Sequence, residues 1–278
     1  MVRAFLILLM LVSPALAGLL RDLPYAGPES TPLQKLDLYR DNEAEGIQPV
    51  VMLIHGGDWT KGDKSDEGLL VPKVAWLLEQ GYVVVSVNYR LVPDAKHAEQ
   101  VEDVCRAIAW VQKHVARYAG DPERIWLLGH SAGAQLATLA AVDADRQKAA
   151  GVDRRALRGV VLLDGAGYDV PRQIASLRKK SPMKAVYQKA FTDDPAAQFN
   201  ASPVSRVSVK PPPLLILHVA DRKSSADQAS ALAEALKAKE GQVQVLATAG
   251  KTHESINADC GKPGDPVTAA VAGFLKHE

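Results

Sequence analysis

Apolar residues recur along this chain in two rhythms. Short unbroken runs stand at 49–54 (PVVMLI), 82–87 (YVVVSV), 125–128, 160–163, 214–219 (LLILHV) and 243–246. Runs of this length without polar alternation predict strands buried on both faces. An alternating stretch at 34–39 (QKLDLY) predicts an early edge strand. Between the runs the spacing becomes helical. Val101, Val104, Cys105, Ile108 and Val111 mark one face of a helix over 97–118. Further helices are predicted over 74–80, over the Ala-rich stretch 132–142, and over 226–239 and 266–276. Strands that alternate with helices in this way predict an α/β fold with a mostly parallel central sheet covered on both faces.

Two segments depart from the rhythm. Residues 1–17 read as a secretory signal peptide: Arg3 supplies a positive start, residues 4–12 are nine apolar residues, Pro14 breaks the run, and Ala15-Leu16-Ala17 is an A-x-A cleavage pattern. The run is too short to span a bilayer. The expectation is an exported, periplasmic or secreted protein whose mature domain is 18–278, without stable membrane insertion. Residues 165–209 separate two core strands by more than a loop usually needs. They are read as a small inserted cap, with a long surface loop as the alternative.

Composition narrows the class. The chain has 278 residues, 47% hydrophobic, with 33 Lys+Arg against 32 Asp+Glu. That is ordinary for a globular protein and gives no basic excess for nucleic-acid binding. Its two cysteines, Cys105 and Cys260, are too few for a disulfide scaffold. They permit one bridge and equally well two free thiols. There is no Cys/His cluster at zinc spacing, and no metal or organic cofactor is expected.

The chemistry lies in two glycine-flanked motifs. Gly129-His130-Ser131-Ala132-Gly133 fits G-x-S-x-G directly after an apolar run and before an Ala-rich helix. This strand–turn–helix context lifts the Ser131 hydroxyl above the sheet and points the Ala132 N–H at a substrate carbonyl from a helix N-terminus. His55-Gly56-Gly57-Asp58-Trp59 follows the strand at 49–54. Attack by a serine on an ester carbonyl creates an oxyanion, and one N–H is not enough to hold it. Gly57 and Asp58 are expected to add donors, with Gly56 allowing the turn.

HGGDW, NYR at 88–90, GHSAGAQLA at 129–137 and the late HVAD and THES segments resemble the α/β-hydrolase superfamily. Within it the chain is similar to the esterase branch with an HGG-type oxyanion loop, near small carboxyl and feruloyl-type esterases and serine-type kynurenine formamidases. The resemblance spans about 33–275 and implies the order nucleophile, acid, histidine. The acid then belongs after the strand 214–219, where Asp221 stands, although the His218–Asp221 spacing is one residue shorter than usual. Asp164, after the preceding strand, is the alternative, and Asp227 a weaker one. Of the seven histidines, His253 alone follows the acid within a loop, apart from the terminal His277. Trp59 and His130, flanking the two motifs, are expected to contact substrate. Arg90 and Asp103 match positions where a structural ion pair is expected. The implied activity is a serine carboxylesterase for short acyl or aryl esters. The alternatives are a formamidase-type amidase and a binding module with an idle triad.

Overall fold

The computed structural model describes residues 17–276. The signal-peptide reading of 1–17 falls, except for Ala17, outside the described residues, as does His277. Eight strands form one sheet: β1 (Ala17–Pro24), β2 (Lys35–Asp41), β3 (Gln48–Ile54), β4 (Val83–Val87), β5 (Gly120–His130), β6 (Leu157–Leu163), β7 (Leu214–Val219) and β8 (Val243–Thr248), in the order β1-β2-β4-β3-β5-β6-β7-β8. β1 and β2 pair antiparallel, β2 is antiparallel to β4, and the rest are parallel.

Helices cover both faces: α1 (Glu67–Glu79), α2 (His97–His114), α3 (Ala132–Val142), α4 (Ala144–Ala150), α9 (Lys223–Lys237), α10 (Ser255–Ala258) and α11 (Pro266–Leu275). Side chains alternate across each strand, so Val50, Met52 and Ile54 join the core under α2, α3 and α9. Val51 and Leu53 join the opposite core under α1 and α11. That double burial is why the strands carry unbroken apolar runs.

The segment after β6 folds as four short helices, α5 (Val170–Ser176), α6 (Pro182–Phe191), α7 (Pro195–Ala201) and α8 (Pro203–Arg206). Each has proline in its first turn, preceded by Asp169, Ser181, Asp194 or Ser202 at the N-cap. Proline has no N–H to lose there and its φ suits a helix start. Tyr187 and Phe191 of α6 are buried against Trp59, so this cap is anchored to the loop after β3.

Five elements differ from the sequence expectation: the helix expected over 74–80 begins at Glu67, and the strand expected at the edge over 34–39 lies inside the sheet, between β1 and β4. β1 was not anticipated, because its apolar residues run on from the N-terminal apolar stretch. The helix predicted over 97–118 leaves α-geometry at His114, and a 3-10 turn over Val115–Tyr118 ends at Ala119 with φ 62°. β5 begins at Gly120, within the expected turn, and pairs Gly120 with Gln48 across an irregular register.

The strand order places the site. β3 lies between β4 and β5, so the chain leaves β3 one way to β4 and then crosses back to β5. The loops after β3 and β5 therefore rise beside each other at the switch point of the sheet, where α/β proteins open a crevice. Register pairs Ile54 with Gly129, His130 with Leu163, and Leu163 with Leu217. The segments after β3, β5, β6 and β7 thus emerge at one edge, with the loop after β8 beside them.

Candidate active site

Ser131 sits between β5 and α3 at φ 54° and ψ −120°, a conformation that costs about 1–3 kcal/mol for a residue other than glycine. Its N–H donates to Leu163 O at 3.0 Å. The turn is tolerated because Gly133 has no side chain. A Cβ there would lie 2.2 Å from the Ile54 carbonyl oxygen and 2.4 Å from that of His55. The elbow is thereby pressed onto the end of β3, from which the second loop springs.

In that second loop Gly57, Asp58 and Trp59 have φ of 118°, 53° and 61°. Gly57 O accepts from Thr60 and Lys61 N–H, both at 3.0 Å, and a Cβ on Gly57 would stand 2.1 Å from Lys61 O. Only glycine fits this turn. Gly56 lies against Ser131: its missing Cβ would be 3.1 Å from Ser131 Cβ. His55 anchors the loop, stacked on Tyr89 at 4.3 Å and with its carbonyl accepting from the Tyr89 hydroxyl at 2.8 Å.

His253 Nε2 is 3.0 Å from Ser131 Oγ, and His253 Nδ1 is 2.6 Å from Asp164 Oδ2. Asp164, not Asp221, therefore stands behind the histidine. Asp164 follows the last residue of β6 and reaches across to β7, where its Oδ1 accepts from the Val219 N–H at 3.0 Å and from the Ser225 hydroxyl. Asp221 lies two residues beyond β7 and is exposed. Arg222, next in the chain, turns inward instead and pairs with Asp164. Burial disfavours the Asp164 charge. Hydrogen bonds from His253, Ser225 and the Val219 N–H, with the Arg222 guanidinium, outweigh it and hold the carboxyl well below the usual carboxylate range.

Ser131, His130, His253, Gly56, Gly57 and Asp58 line one cavity of about 510 Å³, within the usual range for small-molecule sites. Leu53, Ile54, Leu70 and Leu128 supply its apolar wall, and Lys73 and Asn257 polar groups. His130 packs 4.6 Å from the His253 ring, and its Nε2 lies 2.8 Å from the His253 carbonyl. A carbonyl only accepts, so His130 carries its proton on Nε2. Burial, and then the neighbouring His253 charge, push its pKa down to about 3, so it stays neutral.

Trp59 is not part of the cavity wall. It is 1% exposed, its indole N–H donates to Gln135 Oε1 at 3.0 Å, and its ring meets Tyr187 and Phe191. A buried indole needs both a partner and apolar cover, and α3 and the cap provide them here. Gln228 bonds the Asp169 backbone, tying α9 to the start of the cap. Arg90 grips Asp103 through Nε at 2.7 Å and Nη2 at 2.9 Å, the expected structural pair. Cys105 and Cys260 are separate, buried thiols. Among the described residues, no group of three or more His, Cys, Asp or Glu is placed to hold a metal ion.

The residues that sequence reasoning missed are Arg222, Ser225 and Lys73. Arg222 carried one signal, its place beside Asp221 in the turn expected to supply the acid.

The BD-FAE family model matches residues 36–236, most of the chain, from within β2 to within α9. The chain belongs to the BD-FAE family. This chain is similar to the probable carboxylic ester hydrolase LipM of Mycobacterium tuberculosis, with 35% identity over 66% of this chain and 44% of that protein. It is 30% identical to esterase LipC of the same organism, over 95% of this chain and 68% of LipC. The chain spans about half the length of several curated relatives it matches, 44% to 61% for the first five. Among solved structures, esterase B from Lactobacillus rhamnosis matches with a TM-score of 0.70 and 25% identity, over 85% of this chain and 76% of that one. The carboxylesterase EstE1 matches in fold with a TM-score of 0.72 and 22% identity, over 93% and 88%. This BD-FAE chain therefore has the α/β-hydrolase fold, as the resemblance implied.

Proposed function

We propose that this BD-FAE chain is a serine carboxylesterase that cleaves short acyl or aryl esters through an acyl-serine intermediate. The observation that carries the proposal is the continuous relay Ser131–His253–Asp164, whose serine and histidine line one cavity. His253 takes the Ser131 proton as Oγ attacks the ester carbonyl, and Asp164 stabilises the imidazolium. The oxyanion forms beside the Ala132 N–H and the Gly57–Asp58 turn, where fixed N–H dipoles meet the developing charge. The alcohol leaves with the proton returned by His253. Water then repeats the sequence on the acyl-Ser131. A cavity of about 510 Å³ with a partly apolar wall suits short acyl and aryl groups.

The test is a p-nitrophenyl ester series from acetate to palmitate beside Ser131→Ala. Turnover is expected to peak at short chains and to fall by about 10⁵–10⁶-fold in the variant, the usual scale for loss of a triad member. A fluorophosphonate is expected to label the wild type alone. Normal turnover by Ser131→Ala would overturn the proposal.

Export is part of the same reading. It is supported by the charged, apolar and A-x-A pattern of residues 1–17. Cleavage after Ala17 would keep the β1 pairs from Gly18 onward. Among the described residues no helix is long and apolar enough to cross a membrane. N-terminal sequencing of the protein from an exported fraction tests the cleavage point, and an intact Met1 there would refute it.

A further inference from the structure

Lys73 is a charged side chain built into the wall of the cavity that holds Ser131 and His253. It follows Leu70 by one turn of α1, so the two share a helix face, and both line that cavity. Lys73 is 3% exposed. Its backbone is fixed from behind. A Cβ on Gly261 would lie 2.3 Å from Pro72 O and 2.8 Å from Lys73 N, so the turn after α10 presses on α1 at this point. Lys73 Nζ donates to the backbone carbonyl of Asn257, another lining residue. That contact offers a dipole and no countercharge.

A buried ammonium is unfavourable unless negative charge meets it. Burial outweighs the pull of Cys260, Asp66 and Asp259, and with the repulsion of Lys262 it lowers Lys73 to about 8. The charge is therefore present at pH 7. Asp66 is exposed, and Asp259 accepts from Lys251 and Lys262. Cys260 is pushed up to about 11 by burial and stays a neutral thiol, and His130, on the β5 side, stays neutral as well.

The other charges of the wall are engaged or stand at its rim. Lys64 pairs with Asp22 and Asp37. Asp63 accepts from Ser65 and Asn88, and Glu254 from Thr252, and both acids are exposed, as is Lys61. Asp58 is half-buried and lies toward the cap, where burial and then the Asp58 charge raise the Tyr187 phenol. Deeper in, among Leu53, Leu70 and Leu128, the charge that an entering ligand meets is that of Lys73.

We propose that Lys73 is a specificity-determining residue whose ammonium receives a carboxylate carried by the ester substrate. Hemiesters of dicarboxylic acids, or esters of hydroxy acids, are then cleaved in preference to neutral esters of the same size. The proposal rests on the esterase reading for turnover, and binding tests it separately.

Two substrate pairs carry the test, each after subtraction of the Ser131→Ala rate. p-Nitrophenyl hemiadipate beside p-nitrophenyl hexanoate, which has as many acyl carbons, places the carboxylate on the acyl side. p-Acetoxybenzoate beside phenyl acetate places it on the alcohol side. At pH 7, kcat/KM is expected to favour the anionic ester by about tenfold or more in at least one pair, the scale of a hydrogen bond between charged groups. Lys73→Met, similar in length and uncharged, is expected to lower that ratio by about tenfold, chiefly through KM, with thermal melting to confirm the fold. In the wild type the ratio is expected to fall as pH rises from 7 to about 9.5, because the ammonium loses its proton near 8 while the carboxylate of the ester does not change. This profile decides the matter if Lys73→Met does not fold. No preference in either pair, or a preference that survives in folded Lys73→Met or across that pH range, would overturn the proposal. Calorimetric titration of Ser131→Ala with adipate and with p-hydroxybenzoate reads the same site without turnover. One of them is expected to bind, and to lose binding when Lys73→Met is added; binding of neither would overturn the proposal. Absence of Ser131-dependent turnover on every ester would refute the esterase reading alone, and the titration would still decide the role of Lys73.

Discussion

Asp164→Asn separates the two carboxylates that could serve as the triad acid. Asp164 is 1% exposed and its oxygens have distinct duties. Oδ1 accepts from the Val219 N–H and the Ser225 hydroxyl, while Oδ2 faces His253 Nδ1 and Arg222. An asparagine has a single carbonyl oxygen. It must take the Oδ1 place, since a buried N–H left without an acceptor costs about 1–3 kcal/mol. The NH₂ group then faces Nδ1 as a donor, and the imidazole is driven to carry its proton on Nε2. The base is lost with little change of shape, and kcat is expected to fall by about 10⁴, the scale seen when a triad acid is neutralised. That equals about 5.5 kcal/mol of barrier. Asp221→Asn, at an exposed position, is expected to stay within about twofold of wild type. The assay is kcat and KM on p-nitrophenyl acetate, with thermal melting to confirm that each variant is folded. Retention by folded Asp164→Asn of more than about a tenth of wild-type kcat, or a loss of about 10³ in Asp221→Asn, would refute this assignment of the acid.

Two predictions concern stability. Gly133→Ala places a Cβ 2.2 Å and 2.4 Å from two backbone oxygens of the β3 end. It is expected to destabilise the fold by about 2–4 kcal/mol in chemical denaturation, because backbone on one side and an elbow on the other cannot both give way. A loss under about 0.5 kcal/mol would mean that the elbow is not pressed onto β3. The second prediction concerns acid. Burial pushes His97 down to about 4 and His130 down to about 3. Below about pH 6.5 the unfolded chain binds protons that the folded chain refuses, so stability is complete above that value and falls toward pH 4. His97 and His130 alone bring the slope to about 2.7 kcal/mol per pH unit near pH 5, and His55, also pushed down by burial, adds to it. Denaturation midpoints across that range should show it, and His97→Gln should remove about one proton from the slope. A flat profile between pH 7 and about 4.5 would contradict the burial of these rings as neutral species.

The turn that carries Ser131 between strand and helix was legible because every part of it is local. A buried run, a glycine-flanked serine and an Ala-rich helix lie within one stretch, and the turn admits few other residues. The same holds for the Gly56–Gly57 loop, and for the sheet, whose double burial imposes unbroken apolar runs. His253 was readable from chain order, as the histidine in the loop after β8. The acid was not. Asp164 and Asp221 both follow strands, β6 and β7 are neighbours, and which carboxylate meets His253 depends on how the two strand ends are aligned. That alignment is set by the register of Leu163 against Leu217, and the Val219 N–H claims Asp164.

Trp59 was misread for a similar reason. Its place in the glycine loop after β3 is local, but the direction of its ring is decided by Gln135 and the cap helix α6, elements far along the chain. Arg222 follows the same rule, since its contact with Asp164 joins residues 58 apart. The sequence by itself determined the fold class, the serine, the histidine and the two glycine turns, because backbone sterics and apolar periodicity act between near neighbours. The tertiary structure alone decided the acid, the guanidinium beside it and the wall of the cavity, because those depend on which side chains long-range packing brings within hydrogen-bond reach.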